Sequence, residues 1–176
     1  MKKGPIKMKK GYYAALFLLI LMLTGCTSEG KSEPLTETSA KTKSVVGPLS
    51  SYPSNKIEYA RVWLQLGPNQ EIDELNVHLL PAGTPLNPDD STSAAYPEDV
   101  IQLAGSRLAD GSVTYSGNGN GTINVYNVPL RWDGQYPAGK KFYEEIINTT
   151  KLVSIDKGSP NKIVKLISKM KIVEGF

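Results

Sequence analysis

The sequence predicts an α+β fold: a mainly antiparallel β domain, sandwich- or barrel-like, with one or two short helices near the C-terminus. Short segments with strand composition follow one another after residue 55, and turn residues separate them. Near residue 140 the spacing of apolar residues changes to the helical period. About 150 residues remain once an N-terminal segment is set aside, which is enough for one domain with its own core.

Five consecutive segments are rich in β-branched, aromatic or alternating apolar residues and end at turn residues, as is typical of strands. They are "IEYARVWLQL" (57–66), "ELNVHLLPAG" (74–83), "DVIQLAG" (99–105), "GSVTYSG" (111–117) and "GTINVYNVPL" (121–130). The glycines of "SGNGNGT" provide the backbone freedom that a hairpin turn needs, so we expect the last two strands to pair there.

The segment "GKKFYEEIINTT" is expected to form a helix. Tyr143, Ile146 and Ile147 share one face at helical spacing, and Lys140 can reach Glu144 four residues later. The next segment, "KLVSI", has the composition of a strand.

The final segment, "SPNKIVKLISKMKIV", fits two structures. Ser159 as N-cap and Pro160 in the first turn favour a helix. Val164, Leu166 and Ile172 would equally lie on one face of a strand. We favour a short helix that continues into a final strand.

The charge of the chain depends on where the exported part begins. The chain has 20 basic and 17 acidic residues, but five lysines precede Cys26 and all the acidic residues follow it. The part from Cys26 onward therefore carries 15 basic and 17 acidic residues. Nucleic-acid binding needs a basic surface that neutralises phosphates, so we predict no nucleic-acid partner.

Residues 1–25 have the pattern of a secretory signal peptide. Lysines dominate the first ten residues, and an apolar run over residues 14–23 follows. That run is shorter than the roughly 20 residues that a membrane-spanning helix needs. A charged start and a short apolar run are typical of an export signal.

The sequence "LTGC" at residues 23–26 resembles the lipobox of bacterial lipoproteins. The resemblance implies cleavage between Gly25 and Cys26 and attachment of a diacylglyceryl group to the Cys26 thiol. An ordinary secretory signal is the alternative, but the A-x-A-like cleavage site that it favours is absent. Release of part of the signal as a peptide pheromone is a further alternative.

Lipidation would anchor the protein to a membrane, because two or more acyl chains hold a protein firmly at the bilayer. The chain itself would not cross the bilayer. Membrane lipid, reached through Cys26, is therefore the first predicted partner. The lipobox and the lysine-rich start favour the surface of a Gram-positive cell. Residues 26–54 are mostly polar and are predicted to form a flexible tether, with a single globular domain over residues 55–176.

The sequence offers little support for catalysis, so we predict a protein that is not an enzyme, with no catalytic residues and no cofactor. His78 is the only histidine and lies among apolar residues, where a structural role is expected. No G-x-S-x-G motif and no Cys/His cluster for zinc is present. A hydrolase with paired carboxylates is the alternative function.

Calcium is the one metal with a candidate cluster, because it needs only oxygen ligands. Asp89, Asp90, Glu98 and Asp99, with Asn87 beside them, form that candidate. Their spacing matches no EF-hand loop, and a solvated loop with capping acids is the alternative.

Aromatic residues concentrate around "VPLRWDGQYPAG": they are Tyr126, Trp132, Tyr136, Phe142 and Tyr143, with Arg131 and Asp133 among them. Of this group, Tyr126, Arg131, Trp132 and Tyr136 are the candidate binding residues. Exposed aromatic residues on a rigid scaffold commonly mark binding surfaces. The alternative is that Trp132 and Tyr136 cover the end of the core. The sequence therefore predicts a non-enzymatic binding module with an envelope protein or a cell-wall ligand as partner.

Overall fold

The computed structural model describes residues 47–173, which form one six-stranded sheet and three α-helices. In chain order the elements are α1 (Ser54–Leu66), β1 (Leu75–Leu80), β2 (Val100–Gly105), β3 (Ser112–Gly117), β4 (Thr122–Tyr126), α2 (Lys140–Asn148), β5 (Lys151–Ser154), α3 (Pro160–Ile167) and β6 (Met170–Val173). The predicted α+β class is confirmed. The predicted signal peptide, Gly25, Cys26 and most of the predicted tether lie outside the described residues.

The sheet is open and mainly antiparallel. Its strand order is β5-β4-β3-β2-β1-β6, and only the pairing of β1 with β6 is parallel. The two edge strands, β5 and β6, lie at opposite ends of the sheet, so the barrel-like alternative is wrong. The sandwich-like alternative is also wrong, because residues 47–173 form one sheet and a sandwich needs two. Within residues 47–173, no helix is long and apolar enough to cross a membrane.

The segment 57–66, predicted as a strand, is instead most of α1. Its buried residues are Tyr59, Ala60, Val62 and Trp63, which fall on one face at helical spacing. β-branched and aromatic residues favour strands, but burial of this face against the sheet outweighs that preference. The prediction of helices only near the C-terminus was therefore incomplete.

The larger core lies between one face of the sheet and the two helices α1 and α3. Its buried residues are Tyr59, Ala60, Val62, Trp63, Ile72, Leu75, Val77, Leu103, Val113, Tyr115, Ile123, Ile163, Leu166 and Ile167. Leu49 and Tyr52 also pack against this core, although they precede residue 55, where the sequence placed the start of the domain.

A smaller core lies on the opposite face of the sheet, because successive strand residues point to opposite faces. In β2, Val100 belongs to this smaller core and Leu103 to the larger one. The loop between β1 and β2, together with α2, covers one end of this face. The buried members are Leu80, Leu86, Tyr96, Val100, Tyr126, Tyr143 and Ile146.

The predictions for the last third of the chain are confirmed. The segment 140–148 is helical, and Lys140 lies 3.4 Å from Glu144 in an ion pair. The ambiguous final segment forms helix α3, with Ser159 at the N-cap and Pro160 in the first turn, and then strand β6.

Candidate ligand-binding groove

A groove of about 380 Å³ lies beside α2, and we call it the aromatic groove. Its lining residues are Pro129, Arg131, Trp132, Asp133, Gln135, Tyr136, Ala138, Phe142 and Tyr143. Three of the four predicted binding residues, Arg131, Trp132 and Tyr136, therefore lie together in one concave site.

Three of the aromatic side chains contact one another edge to face. The ring centroid of Trp132 lies 5.6 Å from that of Tyr143 and 6.4 Å from that of Phe142. Phe142 and Tyr143 are 5.2 Å apart. Each such contact contributes about 0.5–1.5 kcal/mol beyond burial, so the rings hold one another in fixed orientations.

The aromatic residues of the groove differ in exposure. Tyr143 is fully buried and forms the base, whereas Tyr136 is 36% exposed and Phe142 46% exposed. Trp132 is half-buried and packs against the smaller core. Trp132 thus both covers the end of that core and lines the groove. The sequence left open whether Trp132 is a binding residue or a cover for the core, and its position is compatible with both.

The carboxylate of Asp90 fixes the backbone of the groove. Its Oδ2 accepts hydrogen bonds from the amide of Ala138 and the hydroxyl of Tyr143, both at 2.8 Å. Its Oδ1 accepts from the amide of Thr92 at 2.8 Å and from the Thr92 hydroxyl at 2.7 Å. The Thr92 hydroxyl in turn accepts a hydrogen bond from the amide of Gly139. Asp90 therefore ties the loop before α2 to the loop between β1 and β2.

The hydrogen bonds also set the ionisation of this cluster. Burial opposes the charged form of Asp90, but the bonds from Ala138, Thr92 and Tyr143 outweigh burial and lower its pKa to about 2. Burial, reinforced by the bond to Asp90, raises the pKa of Tyr143. At neutral pH the pair is thus a carboxylate that accepts from a phenol.

The remaining calcium candidates lie in separate hydrogen-bond networks. Glu98 accepts bonds from the hydroxyls of Ser116 and Tyr126, both at 2.7 Å, and these bonds lower its pKa. Asp99 accepts a bond from the amide of Ala82. Asp89 is exposed. Among residues 47–173, no group of three or more His, Cys, Asp or Glu side chains is arranged to hold a metal ion.

Tyr126, the fourth predicted binding residue, does not line the aromatic groove. It is buried in the smaller core, where its ring contacts Tyr96 edge to face at 5.6 Å. Tyr126 lies at the end of β4, and no local pattern indicates that this face of the strand is covered by the loop between β1 and β2 and by α2. His78 lies within β1 as predicted, and burial lowers its pKa.

The sequence did not identify Asp90 as part of this site, and it counted Tyr143 in the aromatic concentration but not among the candidate binding residues. Asp90 was a calcium candidate, and Tyr143 was placed on the buried face of a helix. Asp90 and Ala138 are separated by 48 positions in the chain, so no local pattern connects them. The one local signal is the Asp-x-Thr sequence at 90–92, which allows an aspartate side chain to bond the backbone two residues later.

Comparisons with known proteins place these features in a family. The YdeJ family model matches residues 53–170, which include all three helices and five complete strands. The chain is also 62% identical over 128 residues to the "Uncharacterized lipoprotein YdeJ" of Bacillus subtilis (strain 168), covering 70% of this chain. The match spans 58% of that relative's length, and no solved structure matches. The relative's name agrees with the resemblance of "LTGC" to a lipobox, and the chain belongs to the YdeJ family of lipoproteins.

Proposed function

We propose that this lipoprotein is a lipid-anchored, extracytoplasmic binding module that holds its ligand in the aromatic groove and catalyses no reaction. The observation that carries the proposal is the groove itself, in which partly exposed aromatic rings sit on a backbone fixed by Asp90. Rigid aromatic side chains lose little conformational entropy on binding, which makes them effective contact residues.

The anchoring part of the proposal assigns the lipid to Cys26, with cleavage between Gly25 and Cys26. The "LTGC" sequence and the name of the relative support it. The lysine-rich signal favours the outer face of the membrane in a Gram-positive cell.

The chemistry of the groove favours a cell-wall glycan as the ligand. Ring faces of Trp132 and Tyr136 can cover the apolar side of a sugar, while Arg131, Asp133 and Gln135 offer donors and acceptors for its hydroxyl groups. A site with an aromatic surface and a few polar groups is typical of small-ligand recognition. An envelope protein that inserts an apolar side chain is the second candidate partner.

The carboxylates around the groove support binding rather than hydrolysis. Paired-carboxylate hydrolysis requires two carboxyl groups that face the same bond, one of them protonated as the acid. Asp133 is the only carboxylate among the lining residues. The nearby Asp90 has a pKa of about 2 and accepts four hydrogen bonds, so it cannot serve as a proton donor near neutral pH.

Replacing Trp132 with alanine is expected to weaken binding of soluble peptidoglycan fragments at least about 10-fold, which is the loss typical of a central aromatic contact. Isothermal titration calorimetry of the full-length protein in detergent measures it. Leu152→Ala is the matched control, because Leu152 is 70% exposed on the edge strand β5 and does not line the groove. Equal affinity for wild type and Trp132→Ala would contradict the proposed site, and no binding by wild type would contradict the glycan.

A further inference from the structure

The charges of the folded part are distributed unevenly along the chain. Residues 71–145 hold eleven acidic and four basic residues, whereas residues 151–173 hold six lysines and one aspartate. The second segment comprises β5, α3 and β6. β5 and β6 are the two edge strands of the sheet, and α3 lies in the layer of helices that covers one face. Because β5 and β6 lie at opposite edges of the sheet, the lysines that can form one basic surface are those in and beside α3, although Glu71 and Asp73 lie close to them.

The centre of this basic surface is a second groove, of about 340 Å³, beside α3. Lys162 and Lys165 are exposed and lie three residues apart, so they share one side of the helix. Lys169 lines the same groove, and its ammonium group donates a hydrogen bond to the carbonyl of Ile72.

The two exposed lysines keep their charge available. Glu71 and Asp73 also line this groove, but within residues 47–173 no ion pair connects either of them to Lys162 or Lys165. The nearby lysine of β6, Lys171, is paired with Glu74. A partner can therefore bind the ammonium groups of Lys162 and Lys165 without breaking an ion pair of the described residues.

The membrane anchor enters the domain from the same layer. α1 begins at Ser54 and packs beside α3, and Tyr52 already contacts the core beneath them. About 20 residues separate Cys26 from the described part of the chain, and a chain of that length spans at most about 70 Å. A lipidated Cys26 would therefore hold this basic layer at a high local concentration next to the headgroups.

We propose that the face formed by Lys157, Lys162, Lys165 and Lys169 docks on the anionic lipid headgroups of the membrane that holds the anchor. Lys157 precedes α3 and belongs to the same helical layer, because its carbonyl accepts a hydrogen bond from Nε of Arg61 on α1. Each lysine close to an anionic lipid surface strengthens binding about five-fold. Docking turns the helical layer toward the membrane. The proposal rests on the lipid anchor of the proposed function, but it does not involve the aromatic groove.

The test is amine labelling of the acylated full-length protein reconstituted in vesicles. One set of vesicles contains phosphatidylcholine, and the other an equal mixture of phosphatidylcholine and phosphatidylglycerol. We expect the labelling rates of Lys162 and Lys165, followed by mass spectrometry, to fall at least about three-fold in the anionic vesicles. About 0.5 M sodium chloride should restore them, because salt screens exposed charges. Lys140 and Lys141 on α2 are the internal control and should label equally in both vesicles.

A charge-reversal pair tests the same face. In the double variant Lys162→Glu, Lys165→Glu, protection of Lys157 in anionic vesicles should be lost, whereas the matched variant Lys140→Glu, Lys141→Glu should retain it. Labelling that is unaffected by anionic lipid, or that falls equally at Lys140 and Lys141, would overturn the proposal. Protection by soluble polyphosphate but not by anionic vesicles would also overturn it, in favour of a soluble polyanion. The intact mass of the reconstituted protein reports separately whether the anchor is present.

Discussion

Replacing Trp63 with alanine is expected to lower the free energy of unfolding by about 3–5 kcal/mol, the cost of deleting a large buried aromatic side chain. Trp63 lies on the buried face of α1, has no exposed surface and belongs to the larger core. Its indole Nε1 donates to the carbonyl of Asn69 at 3.0 Å, so the substitution also removes that bond. Urea unfolding followed by circular dichroism measures the change.

The other tryptophan is the matched control. Trp132 is half-buried, and the groove leaves one side of its indole open. We expect Trp132→Ala to cost less than half as much stability as Trp63→Ala, while it reduces ligand binding. If Trp132→Ala proved the more destabilising of the two, Trp132 would be mainly a core residue and the groove would lose its main contact.

Asp90→Asn is expected to lower the thermal unfolding midpoint by roughly 5–10 °C at pH 7, because buried hydrogen bonds to a charged acceptor are lost or weakened. The effect should depend on pH with a definite sign. The pKa of Asp90 falls from 3.8 to about 2 on folding, so its charge stabilises the folded protein fully above about pH 5. That stabilisation is lost as the pH falls through about 2.

The difference between wild type and Asp90→Asn should therefore shrink steadily as the pH is lowered from 5 to 2. Asp89→Asn is the matched control, because Asp89 is the exposed neighbour and should leave both the midpoint and its pH dependence nearly unchanged. A difference that stays constant over this range would show that the ionised carboxylate of Asp90 does not stabilise the groove.

The parts of the fold that local patterns determine were predictable. Strands β1 to β5 and helix α2 have alternating or helical spacing bounded by turn residues. The prediction for the segment of α1 was wrong, because its β-branched and aromatic residues fit a strand equally well. Only the helical spacing of the four residues that it buries against the sheet distinguishes a helix from a strand there.

The candidate site was predictable to the same extent. Arg131, Trp132 and Tyr136 are close in sequence, and an aromatic loop is a visible signal. The hydrogen bonds by which Asp90 fixes the loop before α2 were not predictable, since they join residues 48 or more positions apart. The basic face was not predicted either, because the net charge is a sum over the whole chain. That sum does not show that six lysines and one acidic residue lie within residues 151–173.

The intact mass of the membrane-extracted protein tests the central claim, a lipid-anchored extracytoplasmic domain, most directly. Wild type should give a species that begins at Cys26 and carries the added mass of a diacylglyceryl group, and Cys26→Ser should lack that addition and leave the membrane fraction after salt washing. An unmodified mass for wild type, or a Cys26→Ser variant that carries the same added mass, would contradict the account.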